Sequence, residues 1–435
     1  MSGKKSGVNS RFFSVPSQKQ NSLILFLCKI NPLMVTIQLV SLYEASMTKV
    51  VFSSEEMLAK LVSFNTTSCN SNLEMIHWVQ DYLESYGVAS TLVFDAAKNK
   101  ANLHAVLGPE DKSGVVLSGH TDVVPVEGQA WDSDPFKLRE QNGLLYARGT
   151  CDMKGFIAIA LARLPDMLKR PLTCPLHFAF SYDEEIGCIG AHSLADHIVS
   201  LPVKPKLCIV GEPTNMKPIT GHKGICDFEC TVHGKESHSS LAPYAVNAIE
   251  AAAELVVYIK SVARRMATEG PFNKQFDPPF TTLQTGLMKG GTAINIVPNQ
   301  CTFSFEIRNT PEINCDELVD EIRQYAFKTI EPRMKDIDPT TGFEFKTTAN
   351  APSFDIANNH PMAELVMSLS GANASEKVSF ATEAGIFQNK GIPTVVCGPG
   401  SILQAHKPNE FIARDQITKC ENFLDRLLDT MCNAA

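Results

Sequence analysis

Apolar positions set the pattern of this chain from residue 47 onward. Ser53-x-x-Glu56 is a capping box that opens a helix running to about Phe64. Leu73, Ile76, Leu83 and Tyr86 carry a second helical stripe that Gly87 can stop. Apolar runs at Val88–Phe94, Asn102–Leu107, Val115–Ser118, Leu176–Ser181 and Leu207–Val210 then read as strands, and the stretch 153–169 between two of them as a helix. This alternation predicts an α/β sheet.

After Gly224 the pattern changes. A strand over Asp227–His233, a long helix from about Val246 to Arg265, strands Thr281–Gln284 and Thr302–Arg308, and a helix around 314–330 form a small α+β unit. From about Phe343 the α/β alternation resumes, with a helix near 360–370, a strand Thr394–Cys397 and a closing helix after Asp415. The expected organisation is one domain from 47–224 and 338–435, interrupted by an insertion at 225–337. Residues 1–46 stand apart. Lys4, Lys5, Arg11 and Lys19 precede an apolar stretch, Leu23 to Leu42, which Lys29, Asn31, Pro32 and Gln38 interrupt. Those interruptions disfavour membrane insertion, so an extension, disordered or translated from an upstream start, is the expectation.

Composition narrows the partners. With 39 Lys+Arg against 47 Asp+Glu, the formal charge is -8, and no long basic run offers a surface to nucleic acid. Thirteen scattered cysteines without a C-x-x-C pair suggest neither a disulfide framework nor a thiolate zinc site; reduced thiols in the cytoplasm are expected.

Candidate ligands fall just beyond strand ends: His120 after VVLSG, Glu184 and Glu185 after LHFAFSYD, Glu212 after LCIVG. In an open α/β sheet that edge is where loops converge on a ligand crevice. His120 and Asp122 alternate along extended chain, so Asp122 can hold the His120 ring, or the two can be a simple loop pair. Asp152 in RGTCDMKG reads as a helix cap or as a carboxylate able to bridge two metals. The acids of DEEIG form either an exposed turn or a site where cations relieve like-charge repulsion. Glu212 in GEPT and His406 in AHKPNEF complete two histidines and three carboxylates, a donor set that suits hydrolytic zinc.

With GHTDVVP, GTCDMKGF, DEEIG, GEPT followed by GHKG, GKESHSS, TEAGIF and GPGSILQAHKPNEF, the chain from about Ser54 to its end resembles the two-zinc deacylases and exopeptidases. That family includes N-acyl amino acid deacetylases, desuccinylases, aminoacylases and carboxypeptidases. The resemblance implies a zinc-peptidase-like α/β catalytic domain, its central mixed sheet flanked by helices, and an inserted α+β lid and dimerisation domain. It implies two zinc ions per subunit, for which cobalt may substitute: His120 and Glu212 on one, Glu185 and His406 on the other, Asp152 bridging, and Asp122 orienting His120. Glu184 would be the general base. His238 in GKESHSS would donate to the developing oxyanion, reaching a partner subunit's site in a homodimer, while Asn295 and Arg308 would meet the substrate's carboxylate. The implied substrate is a small N-acyl amino acid, with TEAGIF and the last string favouring N2-acetyl-L-ornithine. A desuccinylase or aminoacylase is the alternative within the family. A non-catalytic metal-binding scaffold is the alternative of another class, and its expected mark, loss of Glu184 or a ligand, is not seen.

Overall fold

The computed structural model describes residues 50–433. The expectations for residues 1–46 lie outside them. Among the described residues, no helix is long and apolar enough to cross a membrane.

The first helix is Ser54–Val62, opened by the capping box: the Ser53 side chain accepts from the Glu56 amide, and Glu56 Oε2 accepts from the Ser53 amide at 2.8 Å. Its buried face, Met57, Leu58, Leu61 and Val62, packs on the helix Lys154–Ala162. That second helix is buried over eight of its nine residues, as an element enclosed on all sides must be. The expected helix over 153–169 is divided into Lys154–Ala162 and Leu164–Met167, with Pro165, which has no amide hydrogen, at the start of the second piece.

A nine-stranded mixed sheet forms the centre. Val115–His120 lies between Leu176–Ser181 and Leu207–Pro213, parallel to both, and Thr394–Gly398 adds in parallel beyond Leu207–Pro213. These strands are buried along their whole length, which explains why they read as continuous apolar runs. Parallel pairing sets the ends of the first three at one edge. Helix and sheet meet closely at Gly211, where a Cβ would lie 2.0 Å from the Phe156 ring, so any side chain there would displace the helix.

A second hydrophobic core lies under a four-stranded antiparallel sheet, ordered Thr282–Gly290, Gln300–Arg308, Ile225–His233, Gly342–Ala351. Cys226, Phe228, Cys230 and Val232 alternate inward with Cys301, Phe303, Phe305 and Ile307 against the helix Ala248–Glu269, which Asn247 caps. The expected return to the first sheet at residue 338 comes later, because Gly342–Ala351 pairs with Ile225–His233. Its largely exposed, alternating pattern fits either sheet, and only the pairing partner decides. Thr282–Gly290 runs beyond the expected Thr281–Gln284, and the helix expected over 314–330 is regular only over Cys315–Tyr325. The sulfurs of Cys226 and Cys315, 89 residues apart in sequence, meet in this unit, a correction to thiols throughout; ten other described cysteines are free.

Candidate metal centre

The sheet edge gathers the predicted residues. His120 ends its strand, Glu212 is the next-to-last residue of the strand Leu207–Pro213, and Glu184 and Glu185 follow Leu176–Ser181. Asp152 does not cap the next helix: Met153 is the cap residue, and no side chain bonds there. The Asp152 carboxylate instead points to two histidines, with Oδ1 3.0 Å from His120 Nε2 and Oδ2 3.4 Å from His406 Nε2. His120 Nε2 is also 3.5 Å from Glu212 Oε1, and His406 Nε2 is 2.9 Å from Glu185 Oε2. Two donor triplets result, His120–Asp152–Glu212 and Asp152–Glu185–His406, each with its ligand atoms within 4.8 Å of one another.

Asp122 does more than face His120. His120 Nδ1 is 2.9 Å from the Asp122 carbonyl oxygen and 3.6 Å from its carboxylate. The carboxylate accepts from Ser68 Oγ at 2.7 Å and from the Glu184 and Glu185 amides at 3.1 and 3.3 Å, and so anchors the acidic turn. That turn sits close beneath the inserted sheet. Gly187 has φ +112°, and a Cβ on it would come within 2.5 Å of the Ala349 side chain.

Without cations the cluster is electrostatically unfavourable. Burial, reinforced by Glu185 and Asp152 and opposed by His120, pushes Glu184 up to about 8. Burial and Asp152 push Glu185 up to about 7, against the pull of His406, and burial and Asp152 raise Glu212. Burial also acts to raise Asp152, but its bonds to His120 and His406 win and hold it low; bonds to Asp152 and Glu185 lift His406 to about 10 against burial. Glu185 Oε1 is buried without a hydrogen-bond partner. Divalent cations would invert this balance by keeping the carboxylates ionised. The donors are nitrogen and oxygen only, and each triplet is one short of the four of a closed structural site, so the residues fit two catalytic first-row metals with positions left for water or substrate.

The cluster opens into a cavity of about 530 Å³ lined by Glu184, Arg308 and Phe380 among others. His238 and Asn295 are not among its lining residues. Both are exposed beside each other, where the Ser239 amide bonds the Asn295 carbonyl and His238 Nδ1 meets Ser240 Oγ at 2.8 Å.

Three charged residues without a sequence-based role support the site. Glu410 accepts from Arg148, Gly149, Cys151 and Asp152. Glu383 accepts from the Ser118 and Ser181 hydroxyls behind the strand ends. Lys154, wholly buried, donates to the Leu61 and Phe64 carbonyls. Their only signal was position, inside NEF, TEAGIF and CDMKG.

Residues 116–430 match the family described as Peptidase family M20/M25/M40. An acetylornithine deacetylase of Aliivibrio salmonicida is 34% identical over 362 residues, covering 83% of this chain and 92% of that protein. One from Myxococcus xanthus is 34% identical over 388 residues, covering 86% and 96%. In fold, the chain is similar to an M20 family metallo-carboxypeptidase of Sulfolobus solfataricus, with a TM-score of 0.67 at 18% identity over 88% of this chain and 100% of that one.

Proposed function

Since the chain belongs to peptidase family M20/M25/M40, we propose that it hydrolyses the amide of N2-acetyl-L-ornithine to acetate and L-ornithine. The observation that carries this reading is the meeting, at the floor of one cavity, of two donor triplets that share Asp152, with the half-buried carboxylate of Glu184 beside them.

His120 and Glu212 would hold one zinc, Glu185 and His406 the other, and Asp152 both; cobalt would substitute in the same nitrogen and oxygen donor set. When bound, such a pair supplies Lewis acidity, which acidifies water and polarises the amide carbonyl. Glu184 is the proton carrier. Its carboxylate, held by a Cys188 thiol 3.3 Å from Oε1, takes a proton from the attacking water and returns it to the departing nitrogen. Asp122 keeps Glu184 in place through its backbone amide and keeps the His120 ring oriented. Arg308, in the cavity wall, receives the substrate's α-carboxylate.

The unit after Gly224, extended to Ala351, acts as lid and dimerisation domain in this reading. His238 and Asn295 then serve a partner subunit's site, His238 as donor to the developing oxyanion. The support is local: Leu241, Tyr244 and Ile294, on the same loops, are 50%, 74% and 102% exposed, an apolar surface suited to a second copy. The largely free thiols favour a cytoplasmic setting, and the product suits arginine synthesis.

The test is kcat/KM of the zinc-loaded protein for N2-acetyl-L-ornithine, N-succinyl-diaminopimelate and N-acetyl-L-methionine, with a chelated control. Selective, chelator-sensitive cleavage of the first is expected. Preference for another substrate rejects the specificity, and no turnover of any despite bound metal rejects the enzymic reading.

A further inference from the structure

Asp227 is the third residue of the strand Ile225–His233. Alternation sends its neighbours Cys226 and Phe228 into the second core and turns Asp227 to the opposite face, where it lines the same cavity as Glu184 and Arg308. Across the sheet it is paired with Glu306 on one side and Ala349 on the other.

Like charges directly opposite in adjacent strands repel. Arg308 answers one of the two, its Nη2 lying 2.8 Å from Glu306 Oε2. Asp227 Oδ1 is buried with no hydrogen-bond partner. Burial and Glu306 act to raise the Asp227 pKa, and Arg308 opposes them, the balance of a group short of positive charge. An acceptor left bare on a cavity wall, where two carboxylates, its own and that of Glu306, face one guanidinium, fits an occupant that brings its own cation.

We propose that Asp227 is a specificity residue that accepts hydrogen bonds from the ammonium group at the far end of the substrate's side chain. This rests on the reading of the site as an N-acyl amino acid hydrolase, and it explains how such a site would prefer a dibasic amino acid. Arg308 and Asp227 are diagonal across the strand pair, a spacing of about 7 Å, which suits a ligand with a carboxylate at one end and an ammonium three methylenes along. The two side chains then read both charged ends, while the acyl group lies toward Glu184. A neutral side chain of the same length would leave Asp227 bare, and a buried polar group left unpaired is what makes such a site discriminate.

The experiment compares zinc-loaded wild type with Asp227→Asn on N2-acetyl-L-ornithine and on N-acetyl-L-norleucine, which has a methyl where ornithine has its ammonium. The ratio of the two kcat/KM values should favour acetyl-ornithine in the wild type and fall at least tenfold in the variant, chiefly through KM for acetyl-ornithine. Activity on the norleucine derivative reports that the variant is folded and metal-loaded. A wild type that prefers acetyl-ornithine, with a ratio unmoved by Asp227→Asn or with both substrates losing equally, overturns the assignment alone. A wild type that cleaves the norleucine derivative and not acetyl-ornithine overturns both the assignment and the proposed substrate.

Discussion

Glu410→Gln removes one charge, keeps the side-chain shape, and should loosen the metal centre from outside it. Glu410 Oε2 accepts from Arg148 Nη1 at 2.8 Å and from the Gly149 amide at 3.0 Å; Oε1 accepts from the Cys151 and Asp152 amides at 2.7 and 3.1 Å. In glutamine one of those oxygens becomes an NH2, so whichever way the amide turns, it faces two donors and two bonds are lost. Arg148, 1% exposed, loses its counter-charge in either orientation and retains its bonds to the Lys407 carbonyl and Gln129 Oε1. Breaking a buried ion pair from one side costs about 3–5 kcal/mol, and the orphaned amides can only add to it. Because Asp152 is the last residue of the pinned stretch and the carboxylate common to both triplets, metal affinity should fall on the order of 10–100-fold. Urea unfolding of the metal-loaded protein measures the first effect, and competition with a chromophoric chelator the second. The Arg148→Met variant and the double variant close a cycle whose coupling energy isolates the pair. A Glu410→Gln protein within about 1 kcal/mol of wild type and with unchanged metal affinity would refute the reasoning.

Glu184→Gln leaves both donor triplets intact, so it should retain both metals while kcat falls by about 10²–10⁴-fold; metal analysis beside turnover checks this, and metal loss would contradict the assigned role. A chain of three histidines, His104 Nδ1 to His197 Nε2 and His104 Nε2 to His177 Nδ1, each 3.1 Å, should make the fold acid-sensitive. Burial and the neighbouring imidazoles lower His104 to about 3, and burial lowers His177 to about 4. With folded pKa values below the unfolded value, the unfolded chain binds the extra protons. The stability is therefore complete above the unfolded pKa of about 6.5 and drops, by about 1.4 kcal/mol per pH unit for each histidine, as pH falls toward 4. Unfolding free energies between pH 7 and 4.5 should slope less in His177→Gln than in wild type, and equal slopes would sink the idea.

Local pattern made much of this protein legible. Buried parallel strands announce themselves as apolar runs, and a capping box announces a helix start, because both are settled by residues within a few positions of one another. Four of the candidate residues were legible for a related reason: His120, Glu184, Glu185 and Glu212 stand at or just beyond the ends of such strands, and strand ends on one sheet edge converge. Where two structures satisfy one local pattern, the sequence left both open. Asp152 reads as a helix cap or as a bridging carboxylate, and the fold turns it to His120 and His406. Gly342–Ala351 alternates as any half-buried strand does and belongs to the inserted sheet.

Sequence by itself therefore determined the α/β class, the change of pattern after Gly224 and the candidate metal ligands that the fold brings together. Tertiary structure alone decided which charges stand beside which. Arg148 meets Glu410 across 262 positions, and Ser118 meets Glu383 across 265. It also turned Asp227 toward the cavity while His238 and Asn295 stayed outside its lining. The physical reason is that periodicity reports burial along the chain, whereas the cost or gain of a buried charge depends on partners that folding brings from elsewhere.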